Sequence, residues 1–338
     1  MNKSKGEVGR GDAMGCLLSK RARSLWAKTD PEDGDLWLPL YVHASDAART
    51  MERLWDEWLP NNVKGLFARQ YDGREELARK ALIFLAGAHD IGKATPIFQA
   101  KPCGRGWDGE PVGLAWKPEK AGLHIEAGLS MERRPTHPIA GQALLDRYLE
   151  DEFGWSFERS DDWGSVIGAH HGNVPEKQRV HDAFNASIAT GNTSDEAGEA
   201  WREVQHELLE YARQMAKLDG TDMEALGRSS WDAPTESVAC GLIIMADWIA
   251  SNQELFPLLP LISGSGGAGG VSGEKTSLAL GNRADRAWDK LSLTSSWSEE
   301  PPFVSDEWFC ERFGLPAGAT PRPVQRAAIE AADKMTEP

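Results

Sequence analysis

The feature that most constrains the fold is an apolar helical stripe that ends in two adjacent polar residues. Over residues 74–89, apolar side chains recur at helical spacing, at Ala78, Ala81, Leu82 and Leu85. His89 continues this stripe, and Asp90 follows it directly, before a turn at Gly92. A carboxylate at a buried helix end costs on the order of several kcal/mol unless a cation compensates its charge. The surrounding chain must therefore supply such a compensation at Asp90.

The same helical period recurs along much of the chain. Alternation of apolar and polar residues, which is typical of half-buried strands, is scarce. The fold class predicted from this pattern is all-α. Besides the helix over 74–89, the apolar period predicts helices from Leu40 to Pro60 and over residues 137–150, 198–218 and 235–252.

Composition limits the classes of protein that the chain can belong to. With 338 residues, 41% apolar and 26% charged, it has the composition of one large or two medium globular domains. The formal charge of −15 argues against a surface built as a whole to bind phosphates, although a local basic groove is still allowed. No apolar run approaches the ~20 residues of a membrane span, and no secretory signal is present. We expect a cytoplasmic protein without a membrane partner.

Further histidines and one aspartate share the setting of His89 and Asp90. Asp247 lies on a helical face with Ile243 and Ile244, and His170 closes the apolar run from Val166. The full set, in chain order, is His43, His89, Asp90, His137, His170, His171 and Asp247. Imidazoles with carboxylates suit Mn, Fe, Co or Ni, with Mg as an alternative. Seven ligands exceed the needs of one ion with open positions, so we expect two divalent metal ions that share Asp90.

Several neighbouring residues have two interpretations. Lys93 is expected to meet a substrate phosphate oxygen, which makes it a predicted catalytic residue with Asp90; the alternative is an exposed lysine in a turn. Asp46, three residues after His43, is expected to orient that imidazole or to be a solvated acid. His124 is the rival of His137 for its place in the ligand set, and the apolar stripe that follows His137 favours the latter.

The motifs around these residues carry a family resemblance. The stretch HDIGKATPIFQ from His89, together with HASDAA, HPIAG, AHHGNVP and MADWIASN, resembles the HD nuclease domain of CRISPR-associated type I helicase-nucleases. These belong to the HD phosphohydrolase superfamily, and the resemblance covers about residues 20–262. It implies a helical bundle with a two-metal site that cuts single-stranded DNA exposed by a guide-RNA surveillance complex. One metal would be held by His43, His89, Asp90 and Asp247, and the other by Asp90, His137, His170 and His171.

The end of the chain resembles a different motif. TPRPVQRAAI, at 320–329, is similar to the Q motif of superfamily 2 helicases, in which Gln325 would contact an adenine. No GxxxxGK[ST] phosphate loop is present, so we expect the helicase and its ATP in a continuation of this chain. The predicted organisation is a mobile tail (1–18), an HD nuclease domain (19–262), a flexible Gly/Ser linker or loop (263–275), a connecting segment (276–318) and a truncated helicase start (319–338).

Two other functions fit the ligand set taken by itself. The first is a phosphohydrolase of nucleotides or cyclic nucleotides, against which the GKATPIFQ extension and the helicase-like end argue. The second is a non-catalytic docking module with a structural metal, against which the completeness of the ligand set argues. Comparison of single-stranded DNA with mononucleotides as substrates separates the first from a nuclease. Metal-loaded protein that binds partners but cuts nothing would favour the second.

Overall fold

The computed structural model describes residues 18–30, 36–105, 111–126, 129, 135–261, 282–293, 309–310 and 314–327. The predicted tail, apart from Leu18, and the predicted Gly/Ser linker lie outside these residues. The chain divides into two compact units, Met1–Leu293 and Thr294–Pro338. Within the first unit, residues 282–293 include a helix, although they fall in the predicted connecting segment. The predicted domain boundaries stay predictions.

The first unit is mostly helical, which confirms the predicted fold class. Its longer helices are α2 (Leu40–Arg53), α3 (Asn61–Arg69), α4 (Glu75–Ala88), α7 (His137–Phe153), α8 (Phe157–Gly168), α9 (Lys177–Asn185), α11 (Glu196–Met215), α12 (Gly220–Gly227), α13 (Ala233–Ser251) and α14 (Arg283–Leu291). The short ones are α1 (Lys20–Ser24), α5 (Pro96–Gln99), α6 (Trp116–Lys120) and α10 (Ser187–Thr190). A π-helical turn, Leu54–Trp58, follows α2, and a 3₁₀ turn, Ile91–Lys93, follows α4.

Two small antiparallel sheets accompany these helices. Strands β1 (Trp26–Thr29), β2 (Leu36–Pro39) and β5 (Leu259–Pro260) form one, with β2 in the middle and Trp37 paired with both Thr29 and Leu259. Strands β3 (Pro102–Arg105) and β4 (Pro111–Gly113) form the other. Neither sheet was anticipated from the sequence, because strands of two to four residues are too short to show an alternating pattern.

Helix α4 lies at the centre of the bundle. Its C-terminal part is buried on all sides, from Ala81 to Ala88, and it packs against α2, α3, α11 and α13. Its buried residues belong to one hydrophobic cluster that also includes Trp55, Trp163 and Trp201. A helix that is apolar around its whole circumference belongs in the interior of a fold. The His-Asp pair that follows α4 is therefore delivered to the middle of the unit.

Helix α13 is strongly apolar, although it carries one of the predicted metal ligands. By length and hydropathy it is apolar enough to cross a membrane, and among the described residues only this helix meets that test. In the fold it packs against α2, α4 and α8, and it carries Asp247. The core helix of a soluble protein meets the same criterion, so the finding is weak evidence for a span.

Candidate metal centre

Two of the predicted ligands are oriented by the helix ends that carry them. His89 follows α4 and donates from Nδ1 to the carbonyl of Ala86, at 2.7 Å. His170 follows α8 and donates from Nδ1 to the carbonyl of Ile167. Nδ1 therefore carries a proton in both imidazoles, and Nε2 is the atom that would bind a metal in the neutral form of the ring. Most metal-ligating histidines likewise donate their other ring N–H to a carbonyl, a carboxylate or a water molecule.

The first group of ligands comprises His43, His89, Asp90 and Asp247. One ligand atom from each lies within 4.8 Å of all the others. His43 Nε2 lies 3.0 Å from Asp90 Oδ2 and 3.3 Å from Asp247 Oδ1. His89 Nε2 lies 3.4 Å from each of the same two oxygens. Helix α2, the end of α4 and helix α13 thus converge on one point in the interior.

The second group comprises His137, His170 and His171, whose ligand atoms also lie within 4.8 Å of one another. His137 opens α7, while the other two follow α8. The second carboxylate oxygen of Asp90, Oδ1, lies 3.4 Å from His137 Nε2 and 3.7 Å from His170 Nε2. Asp90 therefore faces the first group with Oδ2 and the second with Oδ1. The structure brings all seven predicted ligands together.

The donor atoms of this centre lack ordinary partners. His43 Nε2, His89 Nε2 and His170 Nε2 are buried and make no hydrogen bond, although carboxylate oxygens lie 3.0–3.7 Å away. Buried polar atoms are nearly always hydrogen-bonded, and each exception needs an explanation. Nitrogens that converge on a carboxylate without hydrogen-bond geometry are explained by a cation between them. The residues present fit divalent metal ions.

The pKa values of the second group favour metal binding. Burial lowers the pKa of His137 to about 3, against the attraction of Asp90. Burial, together with His89, lowers the pKa of His170 to about 4. Both imidazoles are therefore neutral at physiological pH, which is the form that binds a metal.

The pKa values of the first group show that nearby positive charge stabilises its two carboxylates in their ionised form. Burial raises the pKa of Asp90, but Lys93 and His89 outweigh burial and hold it well below its usual range. The pKa of Asp247 is also lowered, since the close approach of the His43 and His89 imidazoles outweighs burial. Burial lowers the pKa of His89, yet the two carboxylates raise it to about 10. A metal ion that binds here would displace the His89 proton and take over its charge.

Lys93 lies inside the centre. Its Nζ is 2.6 Å from Asp90 Oδ2, and only 7% of the residue is exposed. This burial excludes the alternative of an exposed lysine in a turn. Its predicted contact with a substrate phosphate stays a prediction.

Asp46 does not have the role expected of it. Its carboxylate accepts hydrogen bonds from Arg283 of α14, from Nη2 at 3.0 Å and Nε at 3.2 Å, and both side chains are buried. The Nδ1 of His43 has no hydrogen-bond partner in the part of the chain that the structure describes. The predictions that Asp46 orients His43 or is a solvated acid are therefore wrong, because Arg283, 237 residues later, engages the carboxylate.

Two residues that support the centre were missed by the sequence analysis. Ser251 donates from Oγ to Asp247 Oδ1 at 2.7 Å, and Lys28 of β1 donates from Nζ to the same Oγ. Ser251 lies four residues after Asp247 on α13, so the i,i+4 spacing within MADWIASN was an available signal. Nothing in the sequence pairs Lys28 with a helix more than 200 residues away.

Ser251→Ala should weaken metal binding by the first group. In this variant Asp247 no longer accepts a hydrogen bond from the Ser251 hydroxyl, which fixes its rotamer. Loss of such a supporting contact typically costs roughly 10- to 100-fold in metal affinity. Calorimetric titration with Mn²⁺ measures this effect. Ser237→Ala on the same helix, where the Ser237 hydroxyl donates to the Ala233 carbonyl, is the matched control. Equal Mn²⁺ affinity of both variants would refute the supporting role of Ser251.

Two further predicted residues lie apart from the centre. His124 is exposed, and its main-chain carbonyl accepts from Trp201 Nε1, whereas His137 is in the second ligand group. Gln325 lies in the second unit, where its Oε1 accepts from the Arg322 amide at 2.9 Å. Its adenine contact stays a prediction.

The comparison with known families decides the identity of the fold. Residues 26–256 match the family model described as Cas3, HD domain. The chain belongs to the Cas3 HD-domain family. This confirms the resemblance inferred from the motifs around His89, and the helical bundle with its His/Asp cluster is a Cas3 HD-domain fold.

Curated relatives of this HD domain are longer proteins. The CRISPR-associated nuclease/helicase Cas3 of Streptococcus thermophilus is 29% identical over 328 residues, which cover 93% of this chain and 32% of the relative. The CRISPR-associated endonuclease/helicase Cas3 of Thermus thermophilus is 29% identical over 244 residues, 71% of this chain and 23% of the relative. The chain thus spans a third or less of the length of these relatives.

Solved structures share the fold. A crystal structure of a CRISPR-associated protein aligns with a TM-score of 0.64 at 27% identity, over 95% of this chain and 31% of that one. The crystal structure of the Thermus thermophilus Cas3 HD domain in the presence of Ni²⁺ aligns with a TM-score of 0.50 at 23% identity. That alignment covers 81% of this chain and 92% of the other.

Proposed function

We propose that this HD domain is a nuclease that cuts single-stranded DNA with the help of two divalent transition-metal ions. The observation that carries the proposal is the position of Asp90, whose two oxygens face two separate groups of nitrogen and oxygen ligands. A carboxylate that faces two ligand groups could hold two metal ions side by side, which is the arrangement used by two-metal phosphodiesterases. The names of the curated relatives, nuclease/helicase and endonuclease/helicase, support the same reaction.

The side chains of the centre have separate tasks in this reaction. When bound, two divalent ions supply an activated water and neutralise the charge that builds on phosphate oxygens. The imidazoles and the two carboxylates would hold the ions, and Ser251 and Lys28 keep Asp247 in place. Lys93 neutralises Asp90 and would turn its ammonium toward a phosphate oxygen. Hydrolysis adds the oxygen of water to phosphorus as the bond from phosphorus to the leaving nucleoside oxygen breaks. One proton of the water ends on the leaving oxygen, which becomes a hydroxyl, and the other goes to the new phosphate monoester or to solvent.

The negative charge of the chain favours a DNA substrate that other proteins or domains bring to the metal centre. With 52 acidic against 37 basic residues, the surface repels a polyanion over long distances. We therefore propose that the strand arrives from a helicase, with its ATP, in a longer version of this chain, and from a guide-RNA surveillance complex. The Q-motif-like segment around Gln325 supports the first of these partners.

A substrate comparison tests the proposed function. Protein loaded with Mn²⁺, Co²⁺ or Ni²⁺ should degrade single-stranded DNA, should leave duplex DNA, mononucleotides and cyclic nucleotides largely intact, and should stop when EDTA removes the metal. Gel analysis of labelled oligonucleotides and chromatography of the nucleotides measure these reactions. Faster hydrolysis of mononucleotides than of single-stranded DNA would instead support a nucleotide phosphohydrolase, and no hydrolysis of either would support a docking module.

A further inference from the structure

Helix α14 begins with an arginine that is almost completely buried. Arg283 is 5% exposed, and its guanidinium donates to both oxygens of Asp46 on α2, at 3.0–3.2 Å. A further hydrogen bond, from Nη1, ends on the main-chain carbonyl of Pro257 at 2.9 Å. The same guanidinium lies over the ring of Phe256, 5.8 Å from its centroid. Arg283 therefore joins α2 to the chain segment that follows α13.

A small hydrophobic cluster, separate from the large one around α4, joins the same elements. Its buried members are Ala47, Ala250, Phe256, Ala284 and Ala287. Ala47 comes four residues after His43 on α2, which is one helical turn beyond this ligand. Ala250 comes three residues after Asp247 on α13, again about one turn beyond a ligand. The cluster thus brings α14 together with α2 and α13 close to the ligands that these two helices supply.

Three other polar contacts of α14 reach the same region. Asp285 pairs with Arg53, Trp288 Nε1 donates to Glu57 at 2.8 Å, and Lys290 Nζ donates to the Glu254 carbonyl at 2.9 Å. These contacts are exposed to solvent, where polar pairs contribute little to stability. The Arg283–Asp46 pair differs, because loss of one partner would leave a buried charge without compensation. Among these contacts, the position of α2 therefore depends most on Arg283.

We propose that α14 positions the first ligand group of the metal centre and that Arg283 is its positioning residue. This inference rests on the proposed two-metal function. The ion pair acts on the backbone of α2, which carries His43, and not on the imidazole, to which Asp46 makes no hydrogen bond among the described residues. The Pro257 contact and the hydrophobic cluster act in the same way on α13, which carries Asp247.

The second ligand group should be independent of this helix. Its members lie at the start of α7 and directly after α8, two helices that none of the contacts described above reaches. Loss of the Arg283–Asp46 pair should therefore change metal binding by one group only. A general loss of fold stability would instead act on both groups alike.

The inference also extends the metal-binding domain along the chain. The family model matches residues 26–256, whereas α14 begins at Arg283, in the segment predicted from the sequence to be a connection. All seven predicted ligands lie within the matched residues. A domain that ended with the match would keep every ligand but lose the helix that positions the first group.

Mn²⁺ calorimetry on the full chain, in two ligand backgrounds, tests the role of Arg283. In the first background, His137→Ala with His171→Ala removes two ligands of the second group and leaves the first intact. In the second background, His43→Ala with Asp247→Ala does the reverse. Arg283→Met should weaken Mn²⁺ binding by roughly 10- to 100-fold in the first background, as loss of a supporting contact typically does. It should leave Mn²⁺ binding in the second background unchanged.

Lys290→Met is the matched control. It removes a cation of the same helix that also donates to a main-chain carbonyl, but in an exposed contact, and it should change Mn²⁺ binding in neither background. Arg283→Lys keeps the charge without the planar fork of the guanidinium, so it should lose less affinity than Arg283→Met. It serves for the same comparison if the methionine variant does not fold. Thermal melting verifies that each variant is folded at the temperature of the titration.

The outcomes separate this inference from the proposed function. Equal loss in both backgrounds, no loss in either, or a loss confined to the second would overturn the positioning role, although two ions bound by the unsubstituted chain would still support the metal centre. Failure of the unsubstituted chain to bind Mn²⁺ would overturn the two-metal centre itself. Binding of two ions by that chain, with a loss confined to the first background, supports both.

Discussion

Asp90→Ala should abolish DNA cleavage while leaving the helical bundle folded. Asp90 faces each of the two ligand groups with one oxygen, so its loss would remove a ligand from both of the proposed metal ions at once. Metal ions contribute several kcal/mol of transition-state stabilisation, so the rate should fall on the order of 10³-fold or more. Cleavage of labelled single-stranded DNA measures the rate, and calorimetry with Mn²⁺ should show weakened binding at both positions. Full activity of this variant would refute the proposed site.

Asp146 offers a matched control for this experiment. It is another buried aspartate, on α7, and both of its oxygens lack hydrogen-bond partners among the described residues. Burial, with Asp161 and Glu150, raises the pKa of its carboxyl well above the usual value. The native state therefore loses stability as the pH rises past the usual Asp pKa, and Asp146→Asn removes that loss. We expect Asp146→Asn to be stabilising at neutral pH and fully active.

The ligand set was predictable because its members are polar residues at positions where the helical pattern predicts apolar ones. A histidine or aspartate on an apolar helical stripe stands out in the sequence, and His89, Asp90 and Asp247 all do so. The family motifs then grouped residues that lie up to 204 positions apart, such as His43 and Asp247. Four of the five helices that carry or precede the ligands were predicted from their apolar residues at helical spacing, namely α2, α4, α7 and α13.

The supporting contacts were not predictable, because they depend on long-range geometry. Arg283 reaches Asp46, and Lys28 reaches Ser251, across more than 200 residues in each case. Both cations lie in short segments, one in a four-residue strand and one in a helix of nine residues. Helix α8 was also missed, since charged and polar residues at 158–162 interrupt its apolar period. Helical or strand periodicity identifies buried faces but not which partner covers them.

Gly92→Ala should have the second large effect, through the backbone of the metal centre. A Cβ at this position would lie 1.9 Å from the carbonyl oxygen of His137 and 2.6 Å from the amide nitrogen of Gly141, both in the first turns of α7. Backbone atoms cannot move aside as a flexible side chain can, so the turn after Asp90 must shift away from α7. That shift separates Asp90 from His137, which now lie 3.4 Å apart across the two ligand groups.

The expected result for Gly92→Ala is a less stable protein that binds metal mainly in the first ligand group. Overpacking of this kind typically costs about 1–3 kcal/mol, to be measured by chemical denaturation. Mn²⁺ titration should show a stoichiometry reduced from two ions per chain toward one. His43 and Asp247 of the first group lie on α2 and α13, whereas the atoms nearest to the Gly92 Cβ position belong to α7. Gly65→Ala is the matched control, since no atom lies within 4 Å of its Cβ position within α3. Alanine there should stabilise the helix by roughly 0.5–1 kcal/mol. Two tight Mn²⁺ sites in Gly92→Ala would show that the close approach of this turn to α7 does not build the centre.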